Sequence, residues 1–425
     1  MKHLSTLFIL LSFAVSLQAQ PTYLHCGRLI DGKNNELLSE ITVVVDSSRI
    51  VRVVSGYEQP PADARLIDLK EKVVLPGLID LHVHLQNQSS RDNYSKGFRL
   101  NDADVALEAV PYARTTLLAG FTTVRDVGGS GVNIALRNAI NAGHIVGPRM
   151  LTSGKSIATT GGHADPTNGW RTTLMGDPSP AEGVINGADE ARKAVRQRYK
   201  NGADLIKITA TGGVLSYAKD GTRPQFTAEE LRAIVETAKD YGMHTAAHAH
   251  GAEGMLRAVE AGITTIEHGT LMTEEVMSRM IEKGTYYVPT ITAGKSVADS
   301  ARIRGYYPSI VVPKALAIGP QIQETFGKAY KRGVKIAFGT DAGVFAHGKN
   351  AKEFGYMTEM GMPPMEAIQS ATAVAATVLG LEDELGTIEE GKLADIIAVD
   401  DNPLDQIGTL ENVTFVMKEG TVYRE

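Results

Sequence analysis

Eight short bursts of apolar and β-branched residues recur through the middle of the chain, at 73–84, 121–128, 148–154, 203–213, 244–251, 264–270, 285–291 and 334–343. Stretches with helical character separate several of them. Residues 227–242, "TAEELRAIVETAKDYG", open on a Thr N-cap with a Glu three residues later and stop at a Gly, the signature of a capped helix. Residues 251–262 read as a short amphipathic crossover. Strand, helix, strand, repeated eight times, restricts the chain to a parallel sheet with helical crossovers. Two architectures satisfy that pattern: an open doubly wound sheet and a closed (β/α)8 TIM barrel. Polar residues gather at the C-terminal ends of nearly all eight bursts, which favours the barrel.

The flanks differ from the middle. Residues 20–72 and 381–425 contain short alternating runs and turns, such as "ITVVVDSSRIVRVVSG" and "VTFVMKEGTVYRE", which read as strands. The expected organisation is an α/β barrel over 73–380 with a small β-sandwich built from both termini, 20–72 and 381–425. Residues 1–19 read as a secretory signal peptide. Lys2 precedes an apolar run from Leu7 to Leu17, and Ala19 closes it. That run is shorter than the ~20 residues a bilayer requires, so the mature chain is expected to carry no membrane span and to be exported, periplasmic or secreted. Cys26 is the only cysteine, so a large core must hold the fold without a disulfide. The net charge of −6 and the lack of a basic run argue against nucleic acid as a partner. A homo-oligomer is compatible with all of this.

Of eleven histidines, most are placed by the strand pattern. His82 and His84 end the first burst in "GLIDLHVHL", His248 and His250 the fifth in "HAHG", and His268 the sixth in "IEHG". His163 and His347 follow the third and eighth. His25, His144 and His244 have no evident role. In a barrel the C-terminal strand ends meet at one mouth, and residues i and i+2 face the same side. Several imidazoles crowded together call for an electrophile, and a divalent metal supplies one. Imidazole with carboxylate suits Zn2+, Mn2+, Co2+ or Fe2+. Asp341 in "GTDAG" lies beside the first strand once the barrel closes, where it can bind a metal and take a proton.

Lys207 in "ADLIKITAT" alternates inward with Thr209 and Thr211. A bare ammonium beside metal ions is costly, and burial favours the neutral amine. That amine can add CO2 to form a carbamate, whose two oxygens would be shared by two cations about 3.5–4 Å apart. The alternative is an ordinary lysine that snorkels to solvent or pairs with Asp204 or Asp341.

Taken in order, "GLIDLHVH", "GFTTVRDVGG", "IKIT…GG", "HAHG…IEHG", "GTDAG" and "GKLADIIAVDDNPL" resemble the amidohydrolase superfamily over nearly the whole mature chain. The likeness is closest to the binuclear branch with a carboxylated lysine, which includes Xaa-Pro dipeptidases, related carboxypeptidases and ochratoxin-type amidases. The resemblance implies that His82, His84 and Asp341 hold one metal, that His248 and His268 hold the second, and that a carbamate on Lys207 bridges both. Zn2+ is the expected ion. "HAH" leaves His248 and His250 as competing ligands. Related sequences carry a Tyr or an acid in the second slot, which assigns the ligand to His248 and turns His250 towards the substrate carbonyl. Asp341 would then shuttle the proton.

The implied reaction is hydrolysis of an amide next to a C-terminal amino acid, with a small molecule or dipeptide as substrate. The loops supply the expected substrate contacts: His163 and Tyr217 first, with Arg223 as a carboxylate partner and Lys219, Arg302 and Arg304 as weaker candidates. Residues 158–174, which hold His163 and the only Trp, are expected to lie over the mouth. Arg125 and Asp126 read as a structural ion pair. Two rival readings are a cyclic-amide hydrolase or deaminase on the same barrel, and a non-catalytic exported binding barrel.

Overall fold

The computed structural model describes residues 20–425; the signal-peptide expectation for 1–19 lies outside the described residues. Among these, no helix is long and apolar enough to cross a membrane.

The two termini build one β unit, as expected, and its seven strands are hydrogen-bonded into a single sheet. The order across it is Thr421–Arg424, Phe415–Lys418, Ile396–Val399, Arg65–Pro76, Thr22–Ile30, Leu37–Asp46 and Arg49–Ser55. Thr22–Ile30 runs parallel to Arg65–Pro76, and the C-terminal Ile396–Val399 pairs antiparallel with the other side of that strand. Alternate residues, including Leu24, Cys26, Val43, Val45, Ile67, Leu69 and Phe415, form this unit's own apolar core.

Arg65–Pro76 leads through Gly77 directly into the barrel. A Cβ on Gly77 would meet Thr122 Oγ1 at 2.2 Å, so only glycine permits this approach. The barrel strands are Leu78–Val83, Phe121–Asp126, Arg149–Thr152, Ile206–Thr209, Thr245–Ala249, Thr265–His268 and Tyr286–Val288, with residues 334–342 as the eighth segment. Two seams close the ring. Ile157 N donates to Lys207 O at 2.8 Å and Ile157 O accepts from Thr209 N at 3.1 Å, which joins the third strand's continuation to the fourth strand. The eighth segment is tied to the seventh strand by Ala337 N donating to Tyr287 O at 2.9 Å. It is tied to the first by Leu81 N donating to Phe338 O at 3.0 Å and Asp341 N to His82 O at 2.7 Å. All eight predicted bursts therefore lie side by side in one closed parallel barrel.

The helices cover it as the pattern requires. Thr227 accepts from Glu230 N while the Glu230 carboxylate accepts from Thr227 N, so Ala228–Asp240 starts at the predicted capping box. Outward strand residues such as Ile206, Ile208, Ala247 and Ile266 join Leu231, Ile234, Met255 and Val259 of the helices in the main core.

The barrel interior is polar below the mouth. Arg125, fully buried, donates to Glu267 Oε1 at 2.8 Å and to Leu81 O at 2.6 Å. The expected Arg125–Asp126 ion pair is therefore corrected: adjacent strand residues project to opposite faces, so Arg125 turns inward to Glu267. Asp126 instead accepts from Leu85 N and Asn133 Nδ2, both at 2.8 Å. Burial pushes the Glu267 carboxyl up, but Arg125 and His82 outweigh it and hold it down to about 2 from 4.5. Stability linked to this group is thus fully present above about pH 4.5 and lost as pH falls towards 2. Arg125→Met strands a buried carboxylate and is expected to destabilise the fold by about 3–5 kcal/mol, measured by denaturant unfolding at pH 7. Arg125→Met with Glu267→Gln should recover much of the loss, and a single variant as stable as the parent would contradict the assignment.

Candidate metal centre

The strand ends converge on one cavity of about 830 Å3, lined by His82, His84, Lys207, His248, His268 and Asp341, and by His163 and His250. The first strand delivers His82 and His84 from one face. His82 Nδ1 lies 2.7 Å from Glu267 Oε2, and His84 Nδ1 donates to Gly128 O at 2.8 Å. Each ring is thereby anchored at Nδ1 and turns Nε2 inward, 3.6 Å and 3.2 Å from Asp341 Oδ1. His268 is anchored in the same way, with Nδ1 2.7 Å from Thr290 Oγ1. His248 is turned the other way round. Its Nε2 donates to Gly212 O at 3.1 Å, which leaves Nδ1 as the free lone pair.

Local backbone makes this convergence possible. Strand alternation would place Glu267 and His268 on opposite faces, yet both reach the interior. His268 has φ 69°, and Thr290 and Asp341 have φ 54° and 61°. Left-handed backbone at non-glycine residues costs of order 1–3 kcal/mol each and persists where surrounding structure enforces it. Here it turns the ends of the sixth, seventh and eighth strands towards the mouth. Gly213 has a complementary role: a Cβ there would lie 2.2 Å from the His163 ring, so its absence leaves room for that imidazole.

Burial sets the electrostatics. Burial, with further lowering from nearby Lys207, takes His82 down to about 4 against the raising carboxylates, and burial takes His250 to about 4 and His163 to about 3. His248 and His268 fall well below the usual range through burial and the neighbouring imidazoles. These rings are neutral and offer lone pairs. His84 is the exception: burial lowers it, but the Asp341 carboxylate outweighs that and raises it. Burial lowers Lys207 to about 8 against the pull of Glu267 and Asp341, and among the described residues no carboxylate comes within ion-pair distance of its Nζ. Asp204, one alternative partner, pairs with Arg137 at 2.6 Å.

A divalent ion fits this donor set. His82, His268 and Asp341 each offer a ligand atom within 4.8 Å of the others. Asp341 Oδ1 is buried without a hydrogen-bond partner, the condition of an oxygen that needs a cation. The His248 ring lies 4.6 Å from that of His268, centroid to centroid.

Five of the expected substrate contacts fall outside this cavity. Arg223 lines no part of the cavity; its side chain is 86% exposed and pairs with Asp220 at 3.0 Å, because its loop is held outward by Asp220 accepting from Thr222 N and Arg223 N. Tyr217 lines a smaller adjoining cavity of about 320 Å3. Lys219, Arg302 and Arg304 line neither cavity. The loop 158–174 does border the mouth, beginning with a two-residue strand, Ala158–Thr159, paired to Val184–Ile185. Sequence reasoning missed Glu267, Thr290 and Thr270, the last of which holds His250 Nδ1 at 2.9 Å. A carboxylate inside an apolar strand, directly before His268 in "TTIEHGT", was the available signal for Glu267. Thr290 had none, because its role depends on a left-handed turn.

The family model for the amidohydrolase family matches residues 73–424. The chain belongs to the amidohydrolase family. It is accordingly a metal-dependent hydrolase acting on carbon–nitrogen bonds of the amide type. This amidohydrolase is 33% identical to the ochratoxinase of Aspergillus niger over 430 residues, 96% of this chain and 87% of that one. It superposes with a TM-score of 0.93 on the solved structure of a Xaa-Pro dipeptidase with methionine bound in its active site, at 54% identity, covering 96% of this chain and all of that one. A prolidase complexed with N-methylphosphonate-L-proline gives a TM-score of 0.87 at 32% identity, with 96% and 100% coverage. Dialysis of this amidohydrolase against a strong chelator is expected to abolish amide hydrolysis, and added divalent ion to restore it. Undiminished turnover in metal-free protein, verified by elemental analysis, would contradict the metal centre.

Proposed function

We propose that this amidohydrolase cleaves the amide bond preceding a C-terminal amino acid, as a dipeptidase or carboxypeptidase-like enzyme acting on dipeptides or N-acyl amino acids. The observation that carries this reading is the whole-chain likeness to a Xaa-Pro dipeptidase whose active site holds a free amino acid. The leader-like first 19 residues place the reaction, on this reading, in the periplasm or outside the cell.

His82, His84 and Asp341 would hold one ion, and His248 and His268 the other. His248 is preferred to His250 because its ring lies nearer that of His268, 4.6 Å against 5.2 Å between centroids, with Nδ1 left free by the bond from Nε2 to Gly212 O. Lys207 would bridge the pair as a carbamate. Its neutral amine adds to the carbon of CO2, forming an N–C bond, and loses one proton to solvent; low basicity favours this step. Zn2+ suits the imidazole and carboxylate donors. When bound, such ions act as Lewis acids and lower the pKa of water towards neutrality.

The chain's own groups supply the rest. Asp341 lies where it can accept a proton from the attacking water and return it to the leaving nitrogen. Burial keeps His250 neutral, and in the tautomer in which Nδ1 accepts from Thr270 Oγ1 its Nε2–H would bond the oxyanion that develops on the substrate carbonyl. His163 faces the same space, its ring 4.3 Å from that of His248.

Asp341→Asn is expected to lower kcat by about 10^2–10^4 with an unchanged circular dichroism spectrum; a near-parental rate would refute the proton shuttle. Lys207→Ala should lose activity and regain part of it with added propionate, whereas a fully active variant would remove the bridging carbamate. A panel of dipeptides, N-acyl amino acids and cyclic imides, assayed with metal supplied, decides the substrate class. Turnover confined to the cyclic imides would favour the cyclic-amide rival.

A further inference from the structure

Two demands meet on one side chain at the end of the seventh strand. Thr290 precedes the helix Ile291–Ala301, where a threonine hydroxyl ordinarily accepts from a backbone N–H of the first turn. Here it does not. Its backbone is left-handed, at φ 54° and ψ 42°, its side chain makes no capping bond, and its Oγ1 lies 2.7 Å from His268 Nδ1. The hydroxyl is diverted to the imidazole, which leaves the donors of the first turn in need of another acceptor.

Glu353 supplies that acceptor from a distant part of the chain. It belongs to the helix Lys352–Glu359, beyond the eighth strand, and is fully buried. Its Oε1 accepts from Ile291 N at 2.7 Å, and its Oε2 from Thr292 N at 2.7 Å and Thr292 Oγ1 at 2.6 Å. Burial, with a smaller push from Asp80, raises the carboxyl to about 8 against these three bonds. A carboxyl so placed is unfavourable in itself, and its position at a helix N-terminus offsets part of that cost. The mouth depends on the same piece of backbone. Ala293, Gly294 and Val297 of the capped helix line the main cavity together with Thr290 and His268.

We propose that Glu353 is a positioning residue of the metal centre. By capping the helix in place of Thr290, it holds Thr290 in its left-handed conformation and frees the hydroxyl to orient His268 towards the second ion. This rests on the reading of His268 as a ligand of that ion. A cap that served stability alone would weaken the fold when removed and leave the centre unchanged, whereas a positioning cap changes the affinity for one ion.

Calorimetric titration of Zn2+ into dialysed full-length protein separates the two, with His248→Ala marking the binding event that belongs to the second ion. Glu353→Gln keeps the size of the side chain but turns an NH2 group towards a backbone donor. It is expected to weaken that event by about tenfold or more and to leave the other unchanged. Thr290→Val should weaken the same event, and the double variant should lose little beyond the larger single effect, because both act through one hydroxyl. An affinity in Glu353→Gln equal to the parent's, or additive losses, would overturn the proposal. If Glu353→Gln does not fold, Thr292→Val, which removes one of the three bonds, is expected to weaken the event by about fivefold, and an unchanged value refutes the proposal. If the parent takes up no second ion, the ligand assignment fails separately, and crystal structures of the metal-free parent and of the variant that folds still decide the role of Glu353. Thr290 leaving the left-handed region and its contact with His268 supports it, and an unmoved Thr290 refutes it.

Discussion

The arrangement depends on charge held in a dry place. The closed barrel withdraws a carboxylate, an amine and a set of imidazoles from water at one mouth, and each responds as burial requires. The imidazoles other than His84 lose their affinity for protons, Lys207 moves towards the neutral amine, and Asp341 keeps an oxygen without a partner. Such a collection of lone pairs would be unfavourable on its own. A divalent cation resolves it, which makes metal binding a consequence of the fold's electrostatics rather than an addition to it.

Below this layer the polar network is buried and paired. Arg125 and Glu267 cross the interior between the second and sixth strands, and Glu267 carries on to His82 Nδ1. The ion pair holds the carboxylate ionised, the carboxylate orients the imidazole, and the imidazole aims Nε2 at the mouth. Indirect support of this kind fixes ring orientation and raises basicity at metal sites. Thr290 does the same for His268 from a left-handed backbone conformation. The strain at His268, Thr290 and Asp341 is thus concentrated at the strand ends that meet there.

The barrel was legible because its signal is repeated eight times, and because the i, i+2 spacing of His82 and His84 fixes a common face. Lys207 was legible by the same alternation. What alternation could not give was any side chain governed by a departure from regular strand. His268 beside Glu267 is one case and Thr290 another. Arg125 and Asp126 failed as a pair for the opposite reason: regular alternation separates them. The loop residues were read least well. Arg223 is turned outward by hydrogen bonds to Asp220, and the smaller adjoining cavity combines residues over a hundred positions apart, as Tyr94 and Tyr217 are. No local pattern encodes such a meeting.

The reading of the mouth stands or falls on what occupies it. The most direct measurement is anomalous diffraction from crystals of the metal-supplemented protein, with the electron density at Lys207 examined in the same maps. The account predicts two ions per chain, one on His82, His84 and Asp341 and one on His248 and His268, with density extending from Lys207 Nζ to both. A single ion remote from Lys207, or a bare lysine side chain in a fully metallated site, would contradict it.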